Sequence, residues 1–208
     1  MELELKKECL DTYELGEPQT LTQEETAETI VPDYCPDIAR IISAEGVVCL
    51  HGGTEQDGVT GTVRVTVLYT PENESGVRAL EFAMPFSAQG EGLAGCAHVV
   101  VETEIELLES RMLNPRKIFT RCKLVTHLAG CRKVCLTISS DAETDPALLV
   151  EKRCCGQTVS LLRQVAEKDL TFSETMSLSL GREGAAELLH CRANGIVTET
   201  KAIGNKLI

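Results

Sequence analysis

The chain has 208 residues, a net charge of −12 and a pI near 4.8, with 43% hydrophobic residues, 3% aromatics and no Trp. An acidic chain lacks the clustered Lys and Arg that release counterions, which disfavours nucleic acid and anionic membrane surfaces as partners. So few aromatic faces also count against stacking functions such as a glycan platform, while the apolar fraction suffices for a core and the abundance of Val, Ile and Thr leans towards β structure.

No stretch approaches the ~20 apolar residues of a membrane span. The first residues, Met1-Glu2-Leu3-Glu4-Leu5-Lys6-Lys7, show no basic segment followed by an apolar run, so no secretory signal is expected and the expected compartment is the cytoplasm.

Residues 1–20 read as an N-terminal strand or arm, broken by Gly16 and Pro18. Residues 21–31 are Thr-rich and precede Pro32, which predicts an extended edge strand. Pro36 suits the first position of a helix. Ile38, Ile41 and Ile42 then fall at i, i+3 and i+4, which predicts one short helix packing three Ile side chains onto a sheet. From Gly46 the period becomes two. Residues 47–51 form a strand, and Val63, Val65, Val67 and Tyr69 alternate with Arg64, Thr66 and Leu68 as a strand with one solvated face. Residues 71–76 are a loop, and residues 79–86 a strand ending near Pro85.

Residues 98–108 alternate most clearly. Val99, Val101, Thr103, Ile105 and Leu107 share one face, and Glu102, Glu104 and Glu106 share the other, which reads as a solvated face. Residues 117–128 and 131–138 predict a hairpin joined at Ala129-Gly130. Residues 148–165 read as a strand pair or a strand plus linker. About eight short strands and one helix predict a mainly β fold: an antiparallel β-sandwich-like domain with one short helix.

An internal repeat follows. Leu21-Thr22-Gln23-Glu24-Glu25-Thr26 returns as Leu170-Thr171-Phe172-Ser173-Glu174-Thr175, an offset of 149 positions, and Ala44-Glu45-Gly46-Val47-Val48 returns at the same offset as Ala193-Asn194-Gly195-Ile196-Val197. The expected organisation is an arm at 1–20, a first domain at 21–145, a strand or linker at 146–167 and an incomplete second copy at 168–208. A partial copy cannot bury its own strands. The chain is therefore expected to continue beyond Ile208; the alternative is that the tail docks on the first domain or on another subunit of a homo-oligomer.

No phosphate-binding loop, Gly-x-Ser-x-Gly or His-Glu-x-x-His occurs, and the four His are scattered, so no catalytic residue, cofactor or metal site is assigned. The ten cysteines include no Cys-x-x-Cys pair. Cys122, Cys131 and Cys135 would share one face of the expected hairpin, with His127 on the other. Together with Cys154-Cys155 they define the competing reading, a cysteine-based metal-binding or redox protein. The stretch Leu113-Asn114-Pro115-Arg116-Lys117 is a turn with two solvated basic residues or, on the functional reading, a basic knob for a carboxylate-rich partner.

Two of these blocks carry a resemblance. Val31-Pro32-Asp33-Tyr34-Cys35-Pro36-Asp37-Ile38-Ala39-Arg40-Ile41-Ile42-Ser43, followed by Gly46, resembles the start of the SPOCS domain. Arg111-Met112-Leu113-Asn114-Pro115-Arg116-Lys117 resembles its later Leu-Asn-Pro-Arg-Lys motif. The family occurs in spore-forming Firmicutes, in tandem copies ahead of a LysM domain, as in its SipL-type members. The resemblance covers roughly residues 20–140, and the second copy lacks the Pro-Asp-Tyr block. It implies a non-catalytic protein-interaction module in spore coat or envelope assembly. Such a module would act in the mother cell at the forespore surface, with a spore coat or envelope morphogenetic protein as partner. The family positions are Pro32, Asp33, Tyr34, Pro36, Asp37, Ile38, Asn114, Pro115, Arg116 and Lys117, and their expected part is structural.

Overall fold

Alternation of buried and exposed residues runs through most of the first 143 residues, and it builds strands. The computed structural model describes residues 4–51 and 58–143, with separate positions between 151 and 207. In chain order these are β1 (Glu4–Leu15), β2 (Gln19–Ile30), β3 (Ile38–His51), β4 (Gly58–Pro71), β5 (Arg78–Gln89), β6 (His98–Asn114) and β7 (Lys117–Glu143). Two-residue strands β8 (Ala202–Ile203) and β9 (Lys206–Leu207) follow.

All pairings are antiparallel. The 27-residue β7 is the spine of one sheet. β2 covers Lys117–Leu128 along one edge of β7, and β1 continues along the same edge from Cys131 to Glu143. The break between β1 and β2 is held by the Gly16 N–H, which donates to the Gly130 carbonyl at 2.8 Å. β6 takes the opposite edge and ends where His98 meets Cys131, so β1 and the far half of β7 run on as a two-stranded ribbon. The second sheet is a meander in the order β3-β4-β5.

The two sheets close on one core. Val63, Val65, Val67 and Tyr69 of β4 and Leu80, Met84 and Phe86 of β5 pack against Ile118, Cys122 and Leu124 of β7. Each such side chain contributes about 1.5–3 kcal/mol by leaving water. Face-to-face antiparallel sheets of this kind make a β-sandwich. The β4 alternation read from sequence is present, and Val63, Val65, Val67 and Tyr69 are all buried.

The expected short helix at residues 36–42 is instead the connection into β3 and its first turns. Two β-bulges, between Ile38 and Arg40 and between Ile41 and Ser43, each add a residue to the strand. They move the inward face from Ile38 to Ile41 to Ala44, a spacing of three that imitates a helix. Ile42 points outward at 51% exposure. The expected hairpin turn at Ala129-Gly130 is also absent, because β7 runs straight through it. A Cβ on Gly130 would lie 2.6 Å from Cys96 Sγ, so this glycine admits the close approach of the chain between β5 and β6.

Pro85 lies within β5, opposite Thr62, rather than at its end. β5 is an edge of its sheet, where a missing N–H is tolerated. A bulge between Ile105 and Leu107 turns Leu107 outward and Leu108 onto the core. The other face of β4 is also less open than expected, with Thr66 buried. Residues 188–191 lie over this outer face and form with it an open cleft of about 660 Å³, where His190 Nε2 stands 3.2 Å from Glu45 Oε2. Among the described residues from 151 to 163 none lies in a strand, where a strand pair or a strand plus linker was expected. Most of the second repeat copy, including Leu170, Thr171 and Phe172, lies outside the described residues.

Candidate functional site: the Arg116 clamp and the Tyr34 loop

Residues 31–37 carry the chain from β2 in one sheet to β3 in the other. β6 and β7 meet at the same end in a tight turn, with Pro115-Arg116 between the paired residues Asn114 and Lys117. Pro115 sets the φ of the first turn position, and the Asn114 Oδ1 accepts the Arg116 N–H at 2.9 Å, a side-chain closure typical of Asn before a turn.

The two motif blocks, some 80 positions apart in sequence, meet here through one side chain. The Arg116 guanidinium donates through Nη1 to the Cys35 carbonyl at 2.8 Å and to Asp37 Oδ1 at 3.0 Å. Through Nη2 it donates to the Val31 carbonyl at 2.9 Å and to Asp33 Oδ1 at 3.0 Å. A planar fork of fixed donors suits this four-point grip, which a Lys ammonium could not reproduce.

Backbone bonds reinforce the clamp. The Val31 N–H donates to the Arg116 carbonyl and the Ile38 N–H to the Pro115 carbonyl, each at 2.9 Å. The Cys35 N–H closes a turn onto the Pro32 carbonyl at 2.9 Å, and the Glu72 N–H donates to the Asp37 carbonyl at 2.9 Å. Tyr69, buried in the core, sends its hydroxyl to the Pro36 carbonyl at 3.3 Å. Burial, with the Cys35 thiol beside it, pushes the Tyr69 phenol above its usual range. Val31 and Ile38, at either end of the loop, are fully buried. Lys117 pairs with Glu28 on β2.

A loop anchored at so many points holds a large side chain out in solvent: Tyr34 is 88% exposed. Ile30 at the end of β2 is 71% exposed, and Met112 and Leu113 at the end of β6 are exposed as well. This end of the sandwich therefore combines a rigid backbone, an outward phenol ring and apolar neighbours. Large amphipathic side chains on a preordered loop are the kind of surface that protein partners use.

The motif residues thus fall into two groups. Pro32, Asp33, Pro36, Asp37, Ile38, Asn114, Pro115 and Arg116 build the clamp, beside which Lys117 pairs with Glu28, and Tyr34 faces outward. Arg116 is no solvated knob, because its carboxylate partners belong to its own chain. Sequence reasoning placed both blocks but missed this contact. The available signal was an Arg beside a Lys in one loop motif and two Asp in the other.

The cysteines do not converge as expected. With β7 continuous, Cys122 faces the core, and the odd-numbered Cys131 and Cys135 fall on the other face with His127. Cys131 lies nine positions along the strand from Cys122, roughly 30 Å at ~3.3 Å per residue. No group of three or more His, Cys, Asp or Glu residues is placed to hold a metal ion among the described residues. Cys135 forms a disulfide with Cys9 across the ribbon. The buried Cys122 thiol is pushed up to about 11 by desolvation, with Glu25 adding to the effect. Cys154 lies outside the described residues, and Cys155 is exposed.

No protein-family model, curated protein or solved structure matches this chain.

Proposed function

We propose that the chain is a non-catalytic interaction module of spore coat or envelope assembly, working in the mother cell at the forespore surface with a morphogenetic coat or envelope protein as partner. The observation that carries this reading is the Arg116 clamp. It joins the two stretches that resemble the SPOCS motifs and spends their charged and proline residues on holding Tyr34 outward. The design supports recognition without chemistry: a fixed loop lowers the ordering cost of binding, and the tyrosine supplies contact area.

The test is localisation of the full chain, fluorescently tagged, in a sporulating Firmicute. The tagged protein is expected to gather at the forespore surface, and Tyr34→Ala is expected to disperse it while its thermal unfolding stays that of the wild type. Even distribution of the wild type through the mother cell overturns the spore assignment. Unchanged localisation of Tyr34→Ala overturns the role of the loop.

A further inference from the structure

β1 is an edge strand whose outward face of the ladder can be read from two hydrogen bonds. The Gly16 N–H points inward, to the Gly130 carbonyl of β7. The Tyr13 N–H points outward, and it donates to the Leu162 carbonyl at 3.0 Å. Strand geometry alternates donors with period two, so the Asp11 and Leu15 N–H groups point outward with Tyr13, and those of Leu10 and Thr12 face β7. The Thr12 hydroxyl donates to the same Leu162 carbonyl at 3.0 Å.

The segment that supplies this carbonyl reads Thr-Val-Ser-Leu-Leu-Arg over residues 158–163. Its alternation matches the ribbon. If Leu162 is level with Tyr13, period two puts Leu161 and Val159 on the face that carries Leu10, Val134, Leu136 and Ile138. Those four are brought together by the pairs Leu10↔Leu136, Thr12↔Val134 and Glu8↔Ile138. Leu136, Val159 and Leu161 are exposed, so this apolar face is incompletely covered. A two-stranded ribbon is marginal in water, and a third strand with a shared apolar face is the usual remedy. The Cys9–Cys135 disulfide ties the ribbon across its strands and keeps the outward donors in register.

We propose that the outer edge of β1 is a strand-addition site, and that its occupant is the chain's own segment 158–163, added to the ribbon as a third strand. The Leu162 contact is the seated point of that pairing, and Val159 and Leu161 extend the apolar face of the ribbon. Main-chain hydrogen bonds supply the binding, and alternate side chains set the register.

The test is amide hydrogen exchange by NMR on the full chain, at two protein concentrations, against the Val159→Asp/Leu161→Asp double variant. The Tyr13 amide, and with it one of its outward neighbours, Asp11 or Leu15 according to strand direction, is expected to exchange at least about tenfold more slowly in the wild type, equally at both concentrations. Equal rates in the two proteins overturn the proposal. So does protection that grows with concentration, which would place a second copy on the edge. Continued protection of the inward Leu10 and Thr12 amides in the variant shows that the ribbon is intact. If they too lose protection, Tyr13→Pro decides. It deletes one outward N–H and leaves the β7 ladder whole, so whichever of the Asp11 and Leu15 amides is protected in the wild type speeds up if the third strand is there and stays unchanged if it is not.

Discussion

A single guanidinium holds two loops together, and its removal has a calculable size. Arg116→Ala leaves two carbonyls and two carboxylates without their donor. Charge-assisted hydrogen bonds contribute about 1.5–3 kcal/mol each when shielded, and exposure of Asp33 and Asp37 lowers their share. A net loss of about 2–3 kcal/mol is expected, read as a lower urea midpoint at unchanged slope. Arg116→Lys keeps the charge without the fork and is expected to recover less than half of that loss. A solvated basic residue would move stability by under about 0.5 kcal/mol, so the urea series separates the two roles. Cys122 gives a second prediction. The fold prefers its neutral thiol, because burial raises it from 9.0 to about 11. The associated stability is complete below pH 9 and is lost as pH climbs towards 11. In reductant, the stability of the wild type relative to Cys122→Ala is expected to shrink by about 2 kcal/mol between pH 8 and pH 10.5. Urea melts at the two pH values check it.

Among the strands, β4 and β5 show how a glycine can be as specific as a large side chain. Gly61 is opposite Phe86, whose ring would overlap a Cβ placed here, and the Cys49 carbonyl lies 3.0 Å from the same point. Gly61→Ala is expected to push the ring out of its buried place and cost about 1–3 kcal/mol, measured by chemical denaturation. The aromatic covering a cross-strand glycine leaves no trace in a hydrophobicity pattern. What the pattern does carry is alternation, and β4 and most of β6 were legible for that reason. The start of β3 was misread because two bulges shift the inward face by three residues at a time, as a helix would. β7 was misread because Gly130 looks like a turn residue when its neighbour in space, Cys96, is unknown. The same limit applies at the site. The loop blocks were legible as blocks, but the Arg116 contacts to residues 31–37 depend on how β2, β6 and β7 are ordered in the sheet, which no local spacing encodes.

The molecule as a whole is a sandwich with a ribbon continuing from one sheet. The sandwich is held by a shared core and the ribbon chiefly by its own ladder and the Cys9–Cys135 disulfide. Reduction, or Cys9→Ser, is expected to accelerate hydrogen exchange in β1 and residues 131–143 while β3, β4 and β5 keep their protection. Peptide-level exchange mass spectrometry checks this, and uniform acceleration would mean that ribbon and sandwich open as one unit. β7 belongs to both parts. It starts one residue after Arg116, beside the Tyr34 loop, and ends at the far end of the ribbon. Its 27 residues give a contour length of at most ~90 Å at ~3.3 Å per residue. One uninterrupted strand therefore acts as a ruler. It carries the proposed partner contact at the Tyr34 loop and the edge of the ribbon on opposite ends of one strand, so a partner seated at Tyr34 would leave the ribbon end free to be bridged to something else.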